Sequence, residues 1–121
     1  MWQGAHPLQE RAKKASVDAS TSYALEFDQV EVGERWQVEN LCVRANTTSP
    51  SRIDVYIAGG GWNHFVGQVQ PAVKGFVYTL PRPFWVGEGR KLSILFVGGG
   101  ATDELEAWAT GLKWVNLAQG G

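Results

Sequence analysis

From Gly33 onward the chain is a succession of short apolar runs that alternate residue by residue and are cut by glycine or proline. Alternation with period two places successive side chains on opposite faces of a strand, so each such run has one face to bury. Tyr23, Leu25 and Phe27 alternate with Ala24, Glu26 and Asp28, and Val30 and Val32 carry the signal to a turn at Gly33-Glu34. A strand follows from Trp36 to Ala45. Its apolar phase runs through Trp36 and Val38 and then slips to Leu41, Val43 and Ala45. A slip of a single residue predicts a β-bulge near Glu39-Asn40.

The pattern continues beyond the polar loop 46–52. Ile53, Val55 and Ile57 alternate with Asp54 and Tyr56 until Gly59-Gly60-Gly61, and His64 to Gln70 reads as a strand with Phe65 and Val69 on one face. Phe76, Tyr78 and Leu80 form a further alternating face before Pro81-Arg82-Pro83, and Phe84-Trp85-Val86 is a brief strand. After a tight turn at Gly87-Glu88-Gly89, Leu92, Ile94 and Phe96 resume the alternation. The last element runs from Glu104 to Leu117, with Leu105, Ala107 and Ala109 in phase and Gly111 allowing a bend. About eight strands at this regular spacing predict an all-β fold, an antiparallel jelly-roll-like β-sandwich.

Residues 1–22 read differently. They are polar, with Trp2, Leu8 and Val17 as the sizeable apolar residues, and Pro7 followed by Leu-Gln-Glu-Arg-Ala-Lys-Lys-Ala could open a short helix. This divides the chain into an N-terminal arm (1–22), a sandwich domain (23–117) and a C-terminal tail (118–121). The expectation is an arm that docks on a neighbouring subunit, with Trp2 as anchor, and whose removal leaves the sandwich folded.

At 121 residues the chain is long enough to bury a core without covalent staples. With 11 basic and 12 acidic residues the net charge is -1, which argues against a nucleic-acid or anionic-membrane surface built on bulk charge. No run approaches a membrane span, and Glu10, Arg11, Lys13, Lys14 and Asp18 occupy the place of a signal-peptide core. The single cysteine, Cys42, lies between Leu41 and Val43 and reads as a small buried hydrophobe. Asn46-Thr47-Thr48 matches a glycosylation sequon and reads as a chance match in a loop.

Neither metal nor catalytic chemistry has a matching pattern. His6 and His64 are the only histidines and stand on different elements, so no metal and no cofactor is expected. No serine, cysteine or threonine stands beside a base, and Asp103, Glu104 and Glu106 read as a solvated strand face rather than a catalytic pair. Gly87-Glu88-Gly89-Arg90-Lys91 lacks the spacing of a phosphate loop and leads into a strand. The expectation is a protein without enzymatic activity and without a small-molecule substrate.

Contact surfaces are then the remaining route to function. Of six tryptophans, Trp36, Trp85 and Trp108 fall in apolar strands, and at least some of them should be core, while Trp62 follows Gly60-Gly61 in a loop, where exposure would mark a contact. Trp2, Leu8, Arg11, Trp62, Asn63 and Trp114 are the interface candidates.

The segment Leu25-Glu26-Phe27-Asp28-Gln29-Val30-Glu31-Val32-Gly33-Glu34-Arg35-Trp36-Gln37-Val38-Glu39-Asn40-Leu41 and the segment Pro83-Phe84-Trp85-Val86-Gly87-Glu88-Gly89-Arg90-Lys91-Leu92 carry a resemblance. Their strand-Gly-Glu-x-Trp-x-Val and Gly-Glu-Gly-x-x-Leu turns are similar to those of small β-sandwich virion proteins of tailed bacteriophages, the head decoration, head-tail adaptor and tail accessory proteins. The resemblance covers residues 23–115, and its turns occur in other jelly rolls too. It implies a structural virion protein with no catalytic residues, acting through protein-protein assembly as a homo-oligomer with capsid, portal or tail partners, and with neither nucleic acid nor membrane as partner. A carbohydrate-binding module is the alternative, with Trp62, Trp85 and Tyr56 as stacking residues.

Overall fold

In the computed structural model, residues 4–17, 22–46, 49–59, 61–70, 72–80, 83–98 and 103–115 are described. They form nine strands and no helix: β1 (Gly4–Val17), β2 (Ser22–Glu26), β3 (Glu34–Ala45), β4 (Arg52–Gly59), β5 (Trp62–Val69), β6 (Tyr78–Leu80), β7 (Phe84–Val86), β8 (Lys91–Val97) and β9 (Asp103–Val115). A five-stranded sheet has the order β1-β9-β3-β6, with β7 also paired to β3, and a four-stranded sheet has the order β2-β8-β4-β5. Every strand pair is antiparallel. The chain is an all-β sandwich.

The alternation read from the sequence fills the space between the sheets. Trp36, Val38, Leu41, Val43, Leu105, Ala107 and Ala109 from the first sheet, and Leu25, Ile53, Val55, Leu92, Ile94 and Phe96 from the second, are all buried in one cluster. The slip in β3 is a bulge at the expected place: Val38 pairs with Gly111 and Asn40 with Thr110, leaving Glu39 as the extra residue. That extra residue keeps both halves of β3 facing the core although their apolar positions differ in phase.

Four expectations are corrected. Residues 4–17 form no helix; they are the edge strand β1, paired with β9 along its length. Leu8 and Ala12 are buried, and a spacing of four residues puts two side chains on one face of either a helix or a strand. The partner strand, far away in the chain, decides between them. Phe65 and Val69 do not share a face, because β5 carries a bulge at Val66: Gly67 pairs with Val55, while Phe65 pairs with Tyr56. Phe76 stands outside β6, which begins at Tyr78, and is 61% exposed. Cys42 is half-buried on the outer side of the first sheet, its Sγ 3.4 Å from Thr79 Oγ1, as it must be once Leu41 and Val43 face inward.

Candidate contact surface and cleft

The connection between β5 and β6 presents its hydrophobic residues to solvent. Val73, Phe76 and Val77 are exposed, while Ala72 at its start is buried in the core. Such a loop would ordinarily be mobile, but this one is tied down. The Gly75 N–H donates to Ala45 O at 2.7 Å, Lys74 N–H to Ser49 Oγ at 2.9 Å, and Val73 N–H to the Tyr78 hydroxyl at 2.8 Å. A Phe76 N–H to Val73 O bond of 3.3 Å closes the turn. The three apolar side chains are therefore held out on a backbone fixed to the ends of β3 and β6. Fixing a loop before association removes part of the ordering cost of binding.

A cleft opens where β5, the edge of the second sheet, passes β7 on the edge of the first. One part, about 330 Å³, is lined by Ile57, His64, Phe65, Val66, Pro83, Phe84 and Trp85. An adjoining part, about 290 Å³, is lined by Ile57, His64, Trp85, Gly87 and Arg90. Trp85 borders both and is 46% exposed, so that among the three strand tryptophans Trp36 is the one in the core. The short strand β7 pairs Trp85 with Gln37 of β3, which turns the indole away from the sandwich interior while Val86 points in and is fully buried. The Arg35 guanidinium stands over the Trp85 ring at 4.3 Å from its centroid, a cation–π contact that fixes the ring. Phe65 meets Tyr56 edge-on at 5.6 Å between centroids.

The outer face of the first sheet holds a charged cluster that sequence reading placed in solvent. Glu106 is buried, 3% exposed. Arg11 from β1 donates to its Oε2 at 3.0 Å, Arg44 from β3 to its Oε1 at 2.9 Å, and the Asn46 amide to Oε1 at 2.8 Å. Both guanidiniums also lie near the Trp108 ring, at 5.8 and 5.4 Å from its centroid. Trp108 is thus half-buried on the outer face beneath two arginine side chains, not in the core. The Glu106 carboxyl is covered because long side chains from both neighbouring strands fold over it, a cover that strand alternation does not reveal.

Burial alone would raise the pKa of Glu106. The bonds donated by Arg44, Asn46 and Arg11, together with the Arg44 charge, outweigh it and lower the pKa from 4.5 to about 2. The sign follows from linkage: a carboxylate with a depressed folded pKa contributes its full stability above the unfolded value and loses it as pH falls toward the folded one. Discounted for the half-exposed Arg11, the contribution is about 2 to 3 kcal/mol. Urea midpoints of the wild type should fall steeply between about pH 5 and pH 2, and Glu106→Gln should flatten that part of the curve. Parallel curves for the two proteins would show that Glu106 does not carry the acid limb.

The interface candidates separate. Trp2 lies outside the described residues, and so does the side chain of Trp62. Leu8 is 1% exposed and belongs to the core. Arg11 is committed to Glu106. Trp114 is half-buried, its Nε1–H donating to Gln37 Oε1 at 3.0 Å. Asn63 is exposed on β5, in the other sheet. The described candidates, Leu8, Arg11, Asn63 and Trp114, form no single patch, since Leu8 is buried and Asn63 is on the other sheet from Arg11 and Trp114. The exposed positions at Phe65, Phe76 and Val77 are not marked as contacts by the sequence, because each sits in or beside an alternating run that resembles a buried face, whereas Trp85 stands among the stacking residues of the carbohydrate-binding alternative. Among the described residues no group of three or more His, Cys, Asp or Glu could hold a metal ion. A scan against protein-family models finds no match, and a search of curated proteins finds no significant relative.

Proposed function

We propose that this chain is a structural assembly protein, a virion component of a tailed bacteriophage of the decoration, head-tail or tail accessory type, which works by contact with further copies and with other virion proteins. The observation that carries the assembly reading is the β5–β6 connection, where Val73, Phe76 and Val77 are exposed on a backbone held by hydrogen bonds to β3, to Ser49 and to Tyr78. Exposed large apolar side chains grouped on one rigid loop are what an association surface requires. The virion assignment rests on the resemblance of the two turn segments. Strand order supports the jelly-roll form of the sandwich: β1-β9-β3-β6 faces β2-β8-β4-β5, with β6 and β7 acting as two halves of one edge against β3.

Light scattering after size exclusion tests the reading. The wild type should be an oligomer at about 100 µM chain, and the double variant Phe76→Ser, Val77→Ser should associate at least about tenfold more weakly with an unchanged circular dichroism spectrum. A wild type that stays monomeric alone and does not bind to assembled shells or tails of the parent particle defeats the proposal.

A further inference from the structure

We propose that the free edge of β5 pairs with β5 of a second copy of this chain, antiparallel about a two-fold axis, so that two four-stranded sheets join into one continuous sheet. The inference rests on the reading of the chain as one that meets further copies, and it names the element through which two of them join.

A sheet edge presents unpaired N–H and C=O groups, and proteins blunt it with charge, proline or shortness. The edges of this sandwich are treated unequally. β1 carries Pro7, Glu10, Arg11, Lys13 and Lys14. β2 is five residues long and bears Glu26. β6 and β7 have three residues each and are separated by Pro81 and Pro83. β5 has eight residues without Asp, Glu, Lys, Arg or Pro, and among the described residues β4 is its only neighbour in the sheet. The bulge at Val66 divides it. Beyond the bulge the strand closes on the first sheet, since a Cβ on Gly67 would lie 3.0 Å from a methyl of Leu80 in β6. Before the bulge Asn63, His64 and Phe65 are all exposed. The half open to a partner is therefore Trp62–Phe65.

The surroundings of this edge select the occupant. Between Asp54 and Glu88 the chain has no acidic residue, and Lys74 and Arg82 are its only formally charged side chains there. A partner recruited by charge complementarity would find little to grip, whereas two identical edges meet here without burying charge. Phe65 is 52% exposed on β5, and Val73, Phe76, Val77 and Trp85 are exposed on the following connection and on β7. The stretch 62–86 thus offers residues enough for one side of a standard interface, about 20 to 30. With the other edges guarded, the strand edge that β5 can meet among copies of the chain is another β5. Like edges pair isologously, which closes the assembly at a dimer instead of opening a filament. In such a pair the axis passes beside one residue opposed to its own copy, at a Cα separation of about 4.5 to 5.5 Å, which a disulfide can span. Asn63 and His64 are the positions nearest the centre of the free half.

Asn63→Cys and His64→Cys, each in a Cys42→Ser background, test this with diamide as the oxidant. One of the two should give a covalent dimer at about 100 µM chain, two thiols becoming one disulfide while diamide takes up the two hydrogens, and Ser22→Cys on the guarded edge β2 should not. In the wild type, amide exchange within residues 62–69 should slow at least about fivefold between about 1 and 100 µM, as outward N–H groups gain partners. His64→Lys, which sets like charges across the axis, should weaken association at least about tenfold with an unchanged circular dichroism spectrum. An oligomer whose residues 62–69 exchange alike at both concentrations, in which neither thiol links, or which His64→Lys leaves as tight, overturns the β5 pairing and leaves the assembly reading to the β5–β6 connection. A wild type that is monomeric at about 100 µM also overturns the pairing, and its binding to assembled shells or tails then decides the assembly reading separately.

Discussion

Gly111→Ala should lower the melting temperature by about 15 to 30 °C, corresponding to about 3 to 5 kcal/mol, the largest effect expected of any single methyl added to this chain. Gly111 sits in β9 directly opposite the bulge of β3, with φ at +154°. The extra residue Glu39 bends the β3 backbone toward β9 at this point. A Cβ on Gly111 would overlap the carbonyl oxygen of Gln37 and lie 2.8 Å from the backbone nitrogen of Glu39. Both obstacles are backbone atoms of a strand paired on two sides, so neither can swing away as a side chain would. The bulge must straighten or β9 must move. Straightening would turn either the Trp36 and Val38 pair or the Leu41, Val43 and Ala45 set out of the core, because a one-residue change of register inverts a strand. Gly87→Ala is the control. Nothing lies within 4 Å of a Cβ there, and its melting temperature should stay within a few degrees of wild type. Equal, small shifts for both variants would mean that β3 and β9 do not approach as described.

Deletion of residues 1–17 should abolish the cooperative thermal transition. This reverses the expectation that the N-terminal segment is an appendage. β1 covers one side of β9 from Val115 to Asp103, so its removal bares that entire edge. It takes Leu8 and Ala12 out of the core and removes Arg11 from Glu106. Loss of Leu8 alone, as Leu8→Ala, should cost about 2 to 4 kcal/mol. A truncated chain that keeps its near-ultraviolet dichroism and melts cooperatively would show that the sandwich stands without β1. The full strand also has features that discourage pairing with a stranger along its free edge: Pro7 lacks an N–H, and Glu10 and Arg11 place charge on either side of the strand.

The parts of this fold that were legible in the sequence are those governed by local alternation. β3 with its bulge, β4, β7 and β8 follow from residues within one run, as does the burial of Val55, Ile94 and Val43. What was not legible depends on pairing between distant segments. Leu8 and Ala12 reveal their structure only beside Gly111 and Ala107. Glu106 is covered by Arg11, 95 residues away, and by Arg44, 62 residues away, and nothing around position 106 announces either partner. The side taken by Trp85 was open, because its neighbours Phe84 and Val86 are apolar too. In a strand of three residues the middle side chain faces away from the other two, and here Val86 is buried and Phe84 packs against the core. The exposed set at Val73, Phe76 and Val77 escaped notice because Phe76 keeps phase with Tyr78 and Leu80 across a connection in which Gly75, at φ +81°, has already ended any strand.

The pairing of β1 with β9 also sets the order in which the molecule can be completed. Gly4 lies opposite Val115, so the first described strand finds its only sheet neighbour in the last. During synthesis from the N-terminus, β2, β4, β5 and β8 can complete the four-stranded sheet while β1 is still without a partner. Until β9 emerges, β3 lacks its long neighbour and only β6 and β7 flank it. Contacts of such long range slow the final step, because the whole intervening chain must be ordered before they form. The same arrangement brings both described ends of the chain to one corner of the sandwich. A short linker from Val115 to Gly4, with new ends opened in a turn such as 87–89, should give a circularly permuted protein in which β9 and β1 become a hairpin, and that protein should reach its native state faster than the natural order allows.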